Sequence, residues 1–481
     1  MKRAGKLHSR RRSATISAVC CQLAAAFALA PLGVHAQVTA DEPHTPELTP
    51  ERHTEDWSYL GEPTQRSGRW TEPFKYIPLD DEGSIYLTTG LEARARFEGF
   101  SSPDWGSRPD DTYVWHRLMP YADLHLDGVR VFVQPIFSAI SGTSRSLSPV
   151  DTTGTDALQA FVEVDLEVAE RATLSVSAGR KVFSLGAGRF IDSRYGPNIP
   201  QPFDGVDVAF AAGAHQLRML YFRPVDTRAG DMNDRRSPTQ AVWGVYATQW
   251  LDSDRTSGVD LYYLGFRDRD AKVDQGAGRL LAHTFGSRYF GKLGDWTWNV
   301  EGALQRGSFA DKRVEAFGIG TEASYSFATS VLKPMIAVTL DYASGDGDPN
   351  DDKLGTMNPL FPRGRYFVTQ SPIGPRNLIH VRTSLTVHPL DRVAVSISGG
   401  GYWRASTRDG VYNMPGFLER SGAGSEARFI SKQYEIGVDW QVTSELSFRG
   451  VVSVFEPQRF IRETGTARSI RAVAATTTFR F

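Results

Sequence analysis

Cysteine, lysine and long apolar runs are all scarce in this chain of 481 residues, and each scarcity excludes something. The two cysteines, Cys20 and Cys21, sit together near the N-terminus, so the rest of the chain has neither a disulfide framework nor a cysteine-ligated metal centre. After residue 36 no apolar run reaches about 18 residues, which excludes a bundle of transmembrane helices. The mean hydropathy of −0.32 agrees. A transmembrane β-barrel escapes that exclusion, because its strands need only every second residue to be apolar. Lysine gives way to arginine: after residue 36 there are eight lysines and 40 arginines. Arginine offers carboxylates and phosphates a planar fork of donors. The eight histidines after residue 36 include no pair at metal-ligand spacing, and no cofactor is expected.

What is present first is an export signal. Lys2, Arg3, Lys6, Arg10, Arg11 and Arg12 form a basic start, Ala14 to Leu32 is rich in small and apolar residues, and Val34-His35-Ala36 reads as a cleavage site. Residues 1–36 are therefore expected to be a cleaved signal peptide. Removing its six basic residues takes the formal charge from −1 to −7. A negative exported chain lacks the basic footprint of a nucleic-acid binder. Residues 37–83 are polar and rich in Pro, Glu and Thr, and read as a periplasmic lead-in with little regular structure.

From Ser84 the pattern changes to period two. Ile85, Leu87, Leu91, Ala93, Ala95 and Phe97 share one face, while Glu92, Arg94 and Arg96 share the other. Similar segments follow at 112–127, 128–141, 155–166, 172–182, 205–212, 214–224, 238–251, 256–267, 279–291, 294–308, 312–327, 331–344, 374–388, 391–407, 428–443, 445–457 and 467–480. They predict eighteen strands, with sixteen as the alternative, and a barrel over residues 84–481. Connections after even strands are tight, as at Asp127-Gly128, Gly213 and Ser444, whereas 142–154, 183–204, 225–237, 345–373 and 408–427 are long and polar. Short turns on one side and long loops on the other predict an all-β antiparallel barrel of the outer membrane, with turns in the periplasm and loops outside. The terminal Phe481, with Phe479 on the same face, is similar to the signal that barrel-insertion machinery reads on such proteins.

The block Gly179-Arg180-Lys181, Gly186, Gly188-Arg189, Asp192, Arg194, Gly196-Pro197-Asn198 and Phe203-Asp204-Gly205 resembles the signature of the alginate export family of outer-membrane porins. Lys181 stands where that signature has Gln. Further matches are Lys75-Tyr76-Ile77-Pro78-Leu79, Trp296-Thr297-Trp298-Asn299, Asn358-Pro359-Leu360-Phe361-Pro362, Gly374-Pro375 with Asn377, and Trp403-Arg404. The resemblance implies an eighteen-stranded barrel whose narrow, Arg-rich lumen passes an alginate-like uronate polymer outward. Arginine suits that cargo, because it holds carboxylates by paired, charge-assisted hydrogen bonds and rejects cations.

The candidate pore-lining residues are Arg94, Arg96, Arg180, Arg189, Arg194, Asp204, Arg382, Arg404 and Arg449. Arg180 is ambiguous, since simple alternation puts it with Leu174, Val176 and Ala178; a bulge must re-aim it or it belongs to the rim. The expected function is an anion-selective secretion porin for an acidic exopolysaccharide, with uptake of small anions or organic acids as the alternative. Expected partners are that substrate, outer-membrane lipid, the insertion machinery through Phe481 and a periplasmic export scaffold; nucleic acid is excluded and the barrel is read as monomeric. No enzyme is expected: His380 and Ser384 share a strand face but nothing orients them as a dyad. The acidic run Asp346 to Asp352 lacks the Gly and Glu of a calcium loop and reads as a solvated external loop.

Overall fold

The computed structural model describes residues 48–364 and 366–481; the expected signal peptide and the first residues of the polar segment lie outside the described residues. Eighteen strands form the wall: β1 (Ile85–Ser101), β2 (Asp111–Leu126), β3 (Val129–Ser141), β4 (Gly154–Ala169), β5 (Ala172–Lys181), β6 (Phe203–Ala212), β7 (His215–Asp226), β8 (Gln240–Trp250), β9 (Gly258–Val273), β10 (Gly276–Leu293), β11 (Trp296–Phe309), β12 (Lys312–Ser326), β13 (Met335–Ala343), β14 (Leu378–Leu390), β15 (Val393–Trp403), β16 (Phe429–Gln441), β17 (Leu446–Pro457) and β18 (Ile470–Arg480). Each pairs antiparallel with its chain neighbour, and β1 closes the barrel on β18 from Glu92↔Arg480 to Ser101↔Arg471. Closure removes the open edges that a sheet this size would otherwise expose. The count is eighteen, not sixteen. Among the described residues no helix is long and apolar enough to cross a membrane, so any crossing is made by strands.

Alternation decides which side of the wall each residue meets. In β1, Glu92, Arg94, Arg96 and Glu98 are buried inside, while the intervening Ala93, Ala95 and Phe97 face out. On the outer face Leu261, Phe285, Leu304, Ile397, Ile436 and Val452 are each more than half exposed, an apolar band suited to acyl chains. Turn chemistry fixes register locally: Asp127 and Gly128 both take positive φ, 43° and 84°, as a tight two-residue hairpin between β2 and β3 requires. Pro135 lacks an N–H, and the β3–β4 ladder slips there, between Gln134 and Pro135.

The connections after even strands are 127–128, 170–171, 213–214, 251–257, 294–295, 327–334, 391–392 and 442–445. After odd strands the chain runs through 102–110, 142–153, 182–202, 227–239, 344–377, 404–428 and 458–469, and β9–β10 and β11–β12 instead prolong their strands.

Residues 48–76 have little regular structure. They form short turns and 3-10 segments that dock onto the barrel. Arg52 is fully buried, ion-paired to Glu55 at 2.7 Å, and donates to the Phe481 carbonyl at 2.7 Å. His53 packs edge-on against Phe132 and Phe161 of the inner wall, and its carbonyl accepts from Arg130 at 2.6 Å. Lys75 donates to Thr89 O at 3.0 Å and to the Tyr121 hydroxyl at 2.8 Å. Trp70 then packs on Phe479 and Phe481, and Ile77–Pro78 pairs with Tyr86 and Leu87, covering the part of β1 that overhangs β18. Irregular segments carry no hydrophobic period, which is why the sequence pattern does not announce this docking.

Candidate functional site

Two long connections fold back into the lumen and meet there. Segment 182–202 joins segment 344–377 through Phe361 N to Phe190 O (2.8 Å), Asp192 N to Phe361 O (3.0 Å) and Arg363 N to Gly188 O (2.9 Å). Around this junction the interior is apolar: Phe183, Phe203 and Phe222 pack together, and Phe361 meets Phe203 edge-on at 5.1 Å and Phe266 at 5.7 Å. Burying those rings inside the barrel holds both segments against the wall.

Arginines of the wall seize the first segment by its backbone. Arg94 donates to the carbonyls of Tyr195 (3.0 Å) and Pro197, Arg96 to Gly196 (3.3 Å), and Arg117 to Pro197 (3.2 Å) and Asn198 (3.1 Å). Glu92, fully buried beneath them, pairs with Arg117 at 2.7 Å and Arg480 at 3.0 Å. Asn198 closes the clamp, donating to Asp151 O at 2.8 Å. On the opposite wall Arg189 pairs with Asp341 (2.7 Å), Glu322 (3.3 Å) and Glu301 (3.6 Å) and donates to the Tyr366 hydroxyl at 2.7 Å. Gly320 of β12 has no side chain where Arg189 lies against it. Asp341 also accepts from the Tyr366 hydroxyl at 3.2 Å, so one carboxylate anchors both inward segments, and it meets His380 Nδ1 of β14 at 3.1 Å. His380 thus pairs with Asp341 and stacks on Tyr402 at 4.7 Å.

The remaining candidates separate by place. Arg194 donates through Nε to Pro362 O at 3.1 Å and lies over the Phe361 ring at 5.5 Å. Arg382 touches Thr339 at 3.3 Å, and Arg449 pairs with Asp439 at 2.7 Å and reaches Thr369 at 3.3 Å. Arg180 keeps the outward parity and belongs to the rim, paired with Asp204 at 2.8 Å and Asp156 at 3.3 Å beneath Asp234 O. Asp204 is thereby that arginine's counter-charge. Arg404 corrects the expectation of a pore-lining residue: it is fully buried, and its donors go to the carbonyls of Ala427, Thr407, Asp409 and Ser425 over the Phe460 ring. The loop crown closes around it and leaves no face toward the lumen. Asp346, expected in a solvated run, is buried, its backbone N–H bonded to Asp409 and its carboxylate to Gly355 N. Arg117, Arg288, Arg363 and Arg376 were not among the candidates. Arg117 was legible, sitting on the polar face of β2 with Tyr113, Trp115 and Tyr121.

Among the cavities of the described residues, three adjoin one another through shared lining residues. One of about 650 Å³ at the end of the long connections includes Arg194 and Arg376 in its lining. One of about 310 Å³ shares Arg194 and Pro197 with it and adds Arg96 and Thr369. One of about 630 Å³ shares Thr369 and is lined by Arg288, Arg363, Arg382 and Arg449, with Glu322 and Glu435. Among the described residues no carboxylate pairs with Arg194, Arg376 or Arg382, and no cluster of His, Cys, Asp or Glu is arranged to hold a metal.

Comparison with solved structures matches the whole barrel to outer-membrane porins. OccK2 (OpdF) of Pseudomonas aeruginosa, solved with glucuronate, is 11% identical, covers 85% of this chain and 98% of its own, and has a TM-score of 0.53. OpdK of Pseudomonas aeruginosa, solved with vanillate, is 12% identical over 82% of this chain and 98% of its own, with a TM-score of 0.53. A BenF-like porin from Pseudomonas fluorescens Pf-5 is 11% identical over 82% of this chain and 98% of its own, with a TM-score of 0.55. At such identities the likeness shows the fold, that of a porin. A search of curated protein sequences finds no match. The sequence model described as alginate export matches residues 85–475, nearly the whole barrel, and this chain belongs to the alginate export family.

Proposed function

We propose that this protein is an anion-selective porin for small organic acids in the outer membrane, with its turns in the periplasm and its long loops outside. The observation that carries this reading is the lumen itself: joined loops cross it and leave cavities of about 310 to 650 Å³, linked by shared residues and each bearing guanidinium groups. Cavities in that range take molecules of one or two rings. Among the described residues Arg194, Arg376 and Arg382 have no carboxylate partner, so their charge is available to a passing anion, and several moderate sites in series let it leave as well as enter. Glucuronate and vanillate, bound in the two fold relatives, are both small carboxylates.

A second reading, export of an alginate-like polymer, rests on the family match. It requires segments 182–202 and 344–377 to part, because their backbone hydrogen bonds block a continuous chain. Phe481 is read as the insertion signal, spent once folding seats its carbonyl on Arg52 and Leu91.

Swelling of proteoliposomes tests the reading. Sodium glucuronate is expected to enter faster than glucose and much faster than glucosamine, with long oligouronates excluded. Equal rates for all three monomers overturn it, and rapid entry of long oligouronates favours the polymer.

A further inference from the structure

The cavity at the long-connection end differs from the other two in its walls. Phe266, Leu280, Phe309, Val314, Leu354 and Leu360 are all buried apolar residues that line it. Against these carbons stand the guanidinium groups of Arg194 and Arg376, with the exposed Lys272 also on the lining. Arg194 donates only through Nε, to Pro362 O at 3.1 Å, and its two Nη groups meet no acceptor among the described residues. Arg376 donates through Nη2 to Asn358 Oδ1 at 2.9 Å and lies over the Tyr412 ring at 5.8 Å. Neither has a carboxylate within salt-bridge distance among the described residues. Arg194 is drawn down to about 10 by burial, against the pull of Asp192 and with the help of the charge on Arg376. Two guanidinium groups therefore line one cavity with no carboxylate in ion-pair contact among the described residues, Asp192, Asp268 and Asp409 acting on them only at longer range, and an anion from solution completes them.

We propose that this cavity binds an amphipathic monocarboxylate: a single apolar ring or short branched body carrying one carboxylate, the acid held by Arg194 and Arg376 and the body laid against Phe266, Leu280, Phe309 and Leu354. The inference rests on the reading of the protein as a small-acid porin and names the substrate class that enters from this end. A uronate is the wrong shape of chemistry for these walls. Its ring hydroxyls meet side-chain carbons there and lose the hydrogen bonds they make in water. A second carboxylate is also disfavoured, because Asp226, Asp268 and Asp270 border the same cavity.

Titration calorimetry on the full barrel in detergent micelles tests this with benzoate, glucuronate and benzyl alcohol as probes. Benzoate is expected to bind at least about tenfold more tightly than either of the others. The double variant Arg194→Gln, Arg376→Gln is expected to lose benzoate by about tenfold or more while retaining the heat-modifiable migration of a folded barrel. The single variant Leu280→Asn, placed in the apolar wall, is expected to weaken benzoate and leave glucuronate unchanged. Glucuronate binding as tightly as benzoate, benzyl alcohol binding as tightly as benzoate, or a double variant that keeps full benzoate affinity each overturn the proposal. Proteoliposome swelling on the same preparation keeps the two claims apart. Anion preference without benzoate binding fails this site alone, and loss of anion preference fails the porin reading.

Discussion

Glu92 shows how a charge can sit inside this wall at all. It is fully buried, and two arginines from different strands neutralise it, Arg117 at 2.7 Å and Arg480 at 3.0 Å. Removing Arg117 leaves a buried carboxylate half-compensated, takes the arginine donor from Asn198 O and leaves Pro197 O to Arg94 alone. Arg117→Leu is therefore expected to lower stability by about 3 kcal/mol, read as a fall in the urea midpoint in micelles. A midpoint unchanged from the parent removes Arg117 from the account. At this scale the sequence was partly readable. Alternation placed Arg94, Arg96, Arg382 and Arg449 on inner faces, and the same argument applied to β2 would have found Arg117. Alternation fails at Arg404 and Arg376, which lie in long connections, where direction depends on which other loop closes over them. Arg404 ends in a nest of carbonyls; Arg376 ends in a cavity.

Two kinds of element were differently legible. The strands announce themselves because a wall between lipid and a polar interior enforces period two on every segment. The docked N-terminal segment obeys no period and is held by single residues, His53 in an aromatic slot and Lys75 against Tyr121. Both groups dislike charge in that place. His53 is held well below its ordinary 6.5 by burial and by the charges of Lys181, Arg130 and Arg218. Lys75 is pulled down to about 7 by burial and by Arg52, with Glu55 opposing. When the segment detaches, His53 takes up a proton as pH falls through 6.5, so docking weakens on acidification. Detached Lys75 keeps its proton up to its ordinary 10.5 while the docked form releases it near 7, so docking strengthens as pH rises from there. A spin label at Ser58→Cys, in a chain with no cysteine past residue 21, is expected to become steadily less mobile from about pH 5 to about pH 9. Lys75→Met should abolish the upper half of that change, and mobility that grows with pH contradicts the docking scheme. The inward loops hang on Asp341 in the same way, since it receives Arg189, Tyr366 and His380 together. Asp341→Asn is expected to loosen both loops and to raise single-channel conductance and its open-state noise; a conductance equal to the parent's removes Asp341 as their anchor.

As a whole molecule, the chain of charge −1 is a poor guide to its own interior. Acidic residues neutralise much of the arginine, as Glu92, Asp341 and Asp439 do, and among the described residues Arg194, Arg376 and Arg382 are arginines without a carboxylate in ion-pair contact that line cavities succeeding one another along the lumen. Fold and family were legible because they depend on patterns repeated over hundreds of residues. The occlusion was not, because it depends on two loops meeting at Phe190, Phe361 and Gly188, which no local rule brings together. The central claim is that the uncompensated arginines make this lumen a path for anions. The zero-current potential of the purified barrel in a planar bilayer, under a tenfold gradient of potassium chloride, tests it most directly. The expected potential has the sign set by chloride and falls toward zero in Arg194→Gln, Arg382→Gln. A potential of the sign set by potassium would contradict it.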